Sequence, residues 1–121
     1  MTHITFLRNA ENKDFLQYPS SKFYLLQEDT GVISNEKQYL GKATNSDEMI
    51  LTKLNGTNRQ IFEFVSTEKD CAKIRVQESW LTVYENKVCL TTEDDFDWKL
   101  TYIKPFCYTI TTKTGLLGLF V

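Results

Sequence analysis

Short strand-like runs, separated by turn residues and never spaced as a helix would space them, constrain this chain most. They are Ile4–Arg8, Asp14–Tyr18, Lys22–Gln27, Gly31–Ser34, Gln38–Ala43, Met49–Leu54, Gln60–Val65, Lys73–Gln77, Trp80–Tyr84, Lys87–Thr92, Asp97–Ile103, Cys107–Thr112 and Leu116–Val121. Nowhere do apolar residues hold the i, i+3, i+4, i+7 spacing of an amphipathic helix for three turns. Strands recurring every 8–12 residues or so predict a sandwich or a barrel. Side-chain chemistry agrees, since Val, Ile, Thr and the aromatics supply 44 of the 121 residues and alanine only three. Branched and aromatic side chains suit a pleated, half-buried surface and lose rotamer freedom in a helix. The expectation is a single all-β domain over residues 1–121, because a chain of this length buries roughly two thirds of its unfolded surface around one core.

Two hairpins are testable on register. A two-residue turn at Glu85-Asn86 pairs Val83 with Val88 and Leu81 with Leu90, all on one face, and Thr82 with Cys89 on the other. A slip of one residue would move every side chain of one strand across the sheet, so this agreement carries information. Asn86 also tolerates the left-handed conformation such a turn needs. For the second hairpin, Asn55-Gly56 is a strong two-residue turn signal, yet it would set Leu51 opposite Gln60. A four-residue loop, Asn55–Asn58, sets Leu51 opposite Phe62 and Met49 opposite Phe64, and burial of four large apolar groups favours it.

A longer pattern runs through both hairpins. Val32-Ile33, Tyr39-Leu40, Ile50-Leu51-Thr52 and Phe62-Glu63-Phe64 are echoed by Ile74-Arg75-Val76, Trp80-Leu81, Cys89-Leu90-Thr91 and Trp98-Lys99-Leu100. A third series begins at Tyr108-Thr109-Ile110 and Leu117, and its remaining strands are available as Ile4–Arg8 and Tyr24-Leu25-Leu26. Three such four-stranded units, with paired aromatics late in each (Phe62/Phe64, Phe96/Trp98), resemble the β-trefoil superfamily, with the third unit split between the termini. The resemblance implies a barrel of three roughly 40-residue units, closed when the apolar tail Leu116–Val121 pairs with N-terminal strands. Another small β-barrel or a β-sandwich is the alternative. Sugar-binding trefoils of the ricin type carry Gln-x-Trp in each unit. Here only Gln60-Ile61-Phe62 approximates it, so no lectin site carries over.

Several chemistries are unsupported by the sequence. A net charge of −2 gives no general attraction to nucleic acid or anionic lipid, and no apolar run reaches the roughly 20 residues of a spanning helix. The N-terminus lacks a signal-peptide stretch, so Cys71, Cys89 and Cys107 are expected as reduced thiols in a cytoplasmic protein, and Asn55-Gly56-Thr57, which matches a glycosylation acceptor, reads only as a turn. His3 is the single histidine and sits beside the terminus, which leaves no zinc pair and no Ser-His-Asp triad. Glu93-Asp94-Asp95-Phe96-Asp97 lacks the glycine and distal glutamate of an EF-hand loop and reads as a solvated turn, while Gly115-Leu116-Leu117-Gly118 lacks the lysine of a phosphate loop.

What remains is a row of large aromatics. Trp80, Thr82 and Tyr84 share the face opposite Leu81 and Val83, and Tyr39 occupies the place matching Trp80. Aromatics outside a core serve as anchors for protein partners and sugar rings. The expected function is therefore a non-enzymatic binding module with Trp80, Tyr84 and Tyr39 as binding residues. It has no cofactor, metal or catalytic residue, and a protein partner is favoured over a carbohydrate. An inhibitor of another macromolecule is the second reading, and a hydrolase using paired carboxylates such as Asp95 and Asp97 the third.

Overall fold

The computed structural model describes residues 4–9, 20–26, 38–93, 96–115 and 118–119. Among them are ten strands: β1 (Ile4–Asn9), β2 (Ser20–Leu26), β3 (Tyr39–Lys42), β4 (Met49–Thr52), β5 (Phe62–Glu68), β6 (Cys71–Val76), β7 (Ser79–Tyr84), β8 (Lys87–Thr91), β9 (Trp98–Lys104) and β10 (Cys107–Thr111). The one helical element among the described residues is a 3₁₀ turn, Asn58–Gln60. Asp14–Tyr18, Gly31–Ser34 and His3 lie outside the described residues.

All ten strands belong to one antiparallel sheet. A sandwich would need two sheets, and an up-and-down barrel would pair only neighbours in sequence. Here β2 pairs β5 and β6 pairs β9, each skipping a hairpin. Pairings lead from β1 through β2, β5, β6, β9 and β10 back to β1, so part of the sheet curls into a partial ring. The hairpins β3–β4 and β7–β8 project from it.

The β7–β8 hairpin has the register read from sequence: Leu81 faces Leu90, Thr82 faces Cys89 and Val83 faces Val88. Both turn residues have positive φ, Glu85 at 51° and Asn86 at 62°, the backbone of a type I′ turn. The other hairpin expectation is corrected. Met49 and Leu51 pair with Lys42 and Leu40 of β3, while Phe62 and Phe64 pair with Val76 and Ile74 of β6. The reason lies in Gln60, which is buried instead of facing solvent. Its Nε2 donates to Thr52 Oγ1 (2.8 Å) and Lys53 O (2.7 Å), and its Oε1 accepts from Asn55 N (2.8 Å). This clamp folds residues 52–60 into a compact loop and turns β5 away from β4. Gly41 makes room for the clamp, since a Cβ there would stand 3.0 Å from Gln60 Cγ and 3.1 Å from Arg59 O.

The repeat reading is corrected by one strand. Tyr24-Leu25-Leu26, placed late in a unit from sequence, lies in β2 between β1 and β5, as Ile74 and Val76 of β6 lie between β5 and β9. Of the tail Leu116–Val121, Gly118 and Leu119 are among the described residues. Its described residues fold back on β10 rather than on the N-terminal strands: Gly118 bridges Thr111, and Leu119 N donates to Ile110 O at 2.8 Å. The strand paired with the N-terminal β1 is β10.

The core lies inside the partial ring. Phe23, Phe62, Phe64 and Trp98 are fully buried there, with Leu25, Ile74 and Ile110. Trp98 donates its indole N–H to Leu81 O at 3.1 Å and packs against Phe96, ring centres 5.0 Å apart. Burying so large a ring with its one donor satisfied is favourable both in area and in hydrogen bonding.

Candidate functional site

The three aromatics singled out from sequence do not come together. Tyr39 is fully buried, its ring edge-on to Tyr24 at 6.0 Å, so it offers no surface to a partner. Trp80 is half-buried beneath the Arg75 guanidinium, which lies 5.0 Å from the ring centre. Tyr84 is 69% exposed at the far end of the same hairpin, beside the Glu85-Asn86 turn.

Trp80 belongs to a cross-strand row. Lys22 of β2 faces Glu63 of β5, Glu63 faces Arg75 of β6, and Arg75 faces Trp80 of β7. Arg75 Nη2 donates to Glu63 Oε1. Alternating charge across neighbouring strands stabilises such a row. Beside it lies an open hollow of about 930 Å³, reached by Lys42, Asp47, Gln77 and Glu78 as well. Two charge pairs lie in its lining: Glu63 is held by Arg75, and Lys42 Nζ lies 3.9 Å from Asp47 Oδ1. Asp95, one of the paired carboxylates, is outside the described residues. Asp97 lies 3.6 Å from Lys113 Nζ, so that carboxylate faces a cation. Among the described residues no group of three His, Cys, Asp or Glu could hold a metal ion, and no helix is long and apolar enough to cross a membrane.

A second place was missed from sequence. The turn between β9 and β10 carries Tyr102 (58% exposed), Ile103 (44%) and Phe106 (46%). Two backbone features aim these side chains outward. The ladder runs Tyr102↔Tyr108 and then Lys104↔Cys107, which leaves Ile103 as the extra residue of a bulge. Phe106 has φ 59°, a conformation that suits glycine, asparagine and aspartate and disfavours a bulky side chain. Its carbonyl accepts from Leu7 N at 2.8 Å, which fastens the turn to β1. Lys104 Nζ sits 5.6 Å from the Phe6 ring centre, and Tyr102 packs edge-on to Tyr108.

The β5–β6 turn repeats this backbone. Ser66 faces Ala72, Glu68 faces Cys71, and Thr67 is the extra residue. Asp70 has φ 62°, and its carbonyl accepts from Leu100 N at 2.7 Å. Thr67, Asp70 and Cys71 precede Ile103, Phe106 and Cys107 by the same 36 residues. One scaffold therefore appears twice, with Ser66-Thr67-Glu68-Lys69-Asp70 on one copy and Tyr102-Ile103-Lys104-Pro105-Phe106 on the other. The polar copy meets the backbone's needs with residues suited to water and to positive φ. The apolar copy does neither. Backbone geometry thus does not explain why the second turn is apolar.

All three thiols are free: Cys71 and Cys107 are buried and Cys89 is half-buried. Burial, with Glu68 nearby, pushes the Cys71 thiol up, which disfavours a reactive thiolate. The fold is thus an all-antiparallel-β domain carrying one outward-facing apolar hairpin tip. The chain matches no protein-family model, no curated protein and no solved structure.

Proposed function

We propose that this chain is a non-enzymatic module that binds a protein partner through the β9–β10 tip, with Tyr102, Ile103 and Phe106 as the contact residues. The observation that carries this reading is the contrast between the two turns of equal backbone, one polar and one apolar. Local strain that the fold does not require is characteristic of functional positions, and large aromatics dominate the energetics of protein interfaces. Tyr84 belongs to the same surface chemistry, and Trp80 contributes through Arg75. A partner that is itself an enzyme would make the module an inhibitor. The polar hollow beside Arg75 favours a carbohydrate as the second reading. Three free thiols support a cytoplasmic setting.

At the level of fold, the finer reading is a permuted β-trefoil. Units β2–β5 and β6–β9 each have paired outer strands around an inner hairpin, and β10 pairs with β1 as the outer strands of a third. That order supports a third unit divided between the two ends of the chain.

Photo-crosslinking in the native cell tests the binding reading, because the fold supplies its own control. A photoreactive residue at Ile103 should give a discrete adduct with one protein, and the same residue at Thr67 should not. Equal labelling from both positions defeats it. Adducts of Trp80 with glycans, in place of a protein adduct at Ile103, would move the function to the carbohydrate reading.

A further inference from the structure

Asn55-Gly56-Thr57 is a sequence motif that a binding role at the β9–β10 tip leaves unused. Asn55 is the only one of the chain's asparagines followed by glycine. It is exposed, and its Oδ1 accepts from both Thr57 N (3.0 Å) and Thr57 Oγ1 (2.6 Å). Gly56 has φ 73°, and a Cβ built there would meet nothing within 4 Å. Among the described residues, none hydrogen-bonds the Gly56 N–H.

We infer that Asn55 is a site of spontaneous deamidation in the folded protein, activated by Thr57. The Gly56 amide nitrogen gives its proton to water or a buffer base and attacks Asn55 Cγ. As that bond forms, negative charge develops on Oδ1, where two donors already stand. Donors aimed at developing charge lower such a barrier. The intermediate collapses by breaking the Cγ–Nδ2 bond, and ammonia leaves with a proton from solvent. The resulting five-membered imide is opened by water at either carbonyl, giving aspartate or isoaspartate at position 55. The net reaction consumes one water and releases one ammonia, with no oxidant or cofactor.

Position matters for the consequence. The Asn55 amide N–H donates to Gln60 Oε1, and Gln60 closes the whole 52–60 loop. An isoaspartyl link inserts an extra carbon into the main chain inside that loop. Conversion should therefore loosen the clamp that separates β4 from β5 and act as an irreversible, time-dependent change of this end of the molecule.

The test ages the purified full-length protein in mildly alkaline buffer under native conditions and maps its peptides by mass. Variants Thr57→Val and Thr57→Ser are aged beside it. The expected result is a mixture of aspartyl and isoaspartyl isomers at position 55, with Asn45, Asn58 and Asn86 intact. Thr57→Val should slow conversion by roughly threefold or more, and Thr57→Ser should keep the native rate. Hydrogen exchange at Asn55 N–H should quicken in the converted fraction. An unconverted Asn55, or a Thr57→Val rate equal to the native one, overturns the inference.

Discussion

Ala72 of β6 stands directly opposite Trp98 of β9, the smallest side chain in the ring's core facing the largest. The corresponding pairs are Phe23 with Phe62 between β2 and β5, and Tyr108 with Thr5 between β10 and β1. All six residues are buried. The Phe23–Phe62 pair shares volume equally, whereas the pair with the bulkiest ring has the least on its other side. Trp98→Ala should cost about 3–5 kcal/mol. Ala72→Leu should cost about 1–3 kcal/mol by overpacking, and Trp98→Phe in that background should recover part of it. Urea melts of the single and double variants measure the coupling, and strict additivity would show that the pair does not share space.

Thr5 poses the reverse problem. Its Oγ1 is buried without a hydrogen-bond partner among the described residues. Thr5→Val keeps the shape and removes the unsatisfied hydroxyl. Such a change should stabilise the fold by about 1 kcal/mol, read from the midpoint of a denaturant melt.

For Gln60, bulk and hydrogen bonding can be separated. Gln60→Met retains the volume but leaves Lys53 O and Asn55 N unpaired beside a buried side chain. The expected loss is about 1–3 kcal/mol, with faster hydrogen exchange at Asn55 than at Ile74 in the core.

The pair Glu68–Lys113 ties the segment after β10 to the end of β5, with Nζ to Oε1 at 2.8 Å. Hydrogen bonding to Lys113, and then its charge, hold the Glu68 carboxyl below its ordinary value, and Glu68 raises Lys113 in return. For the depressed carboxyl, the stabilisation is present above the unfolded pKa and is lost as pH falls through the folded one. For the raised amine, it is present below the unfolded pKa and is lost as pH rises through the folded one. Both side chains are more than half exposed, at 59% and 54%, so salt should weaken the effect. In an NMR titration, Lys113→Met should move the Glu68 midpoint upward, and high salt should do the same in the native chain.

At the β9–β10 tip, stability and binding should part company. Phe106→Asn places a residue suited to positive φ where a bulky ring now stands and should stabilise the fold by about 1 kcal/mol. The same change should abolish the crosslink from Ile103. Stabilisation with the crosslink retained would show that Phe106 makes no contact.

Legibility from sequence followed from how many registers a segment could satisfy. Leu81, Val83, Val88 and Leu90 admit one two-residue turn that keeps them on a common face, and the hairpin was readable. Met49, Leu51, Phe62 and Phe64 alternate equally well whether paired with one another or with other strands. What separates them is the amide of Gln60, whose burial no hydropathy pattern reveals. Tyr39 matched Trp80 in the repeat, yet equivalence along the chain does not fix exposure: Tyr39 packs beneath Tyr24 while Trp80 lies under Arg75. The apolar tip did have a signal. Aligning Cys71 with Cys107 sets Ser66–Asp70 against Tyr102–Phe106, and the chemical contrast is plain from the residues alone.

The adjacency of β1 and β10 bears on how the protein is made. Thr5 pairs with Tyr108, partners separated by nearly the whole chain. During synthesis β1 leaves the ribosome before β10 and lacks one of its two neighbours until β10 has followed. Contacts of such long sequence separation close large loops before they are rewarded, and they slow folding. Until then the outer edge of β1 is an unpaired strand, open to any passing backbone. The nascent chain should therefore depend on whatever shields that edge during translation, and a relinked chain that places β10 immediately before β1 should fold faster while keeping the same set of strand pairs.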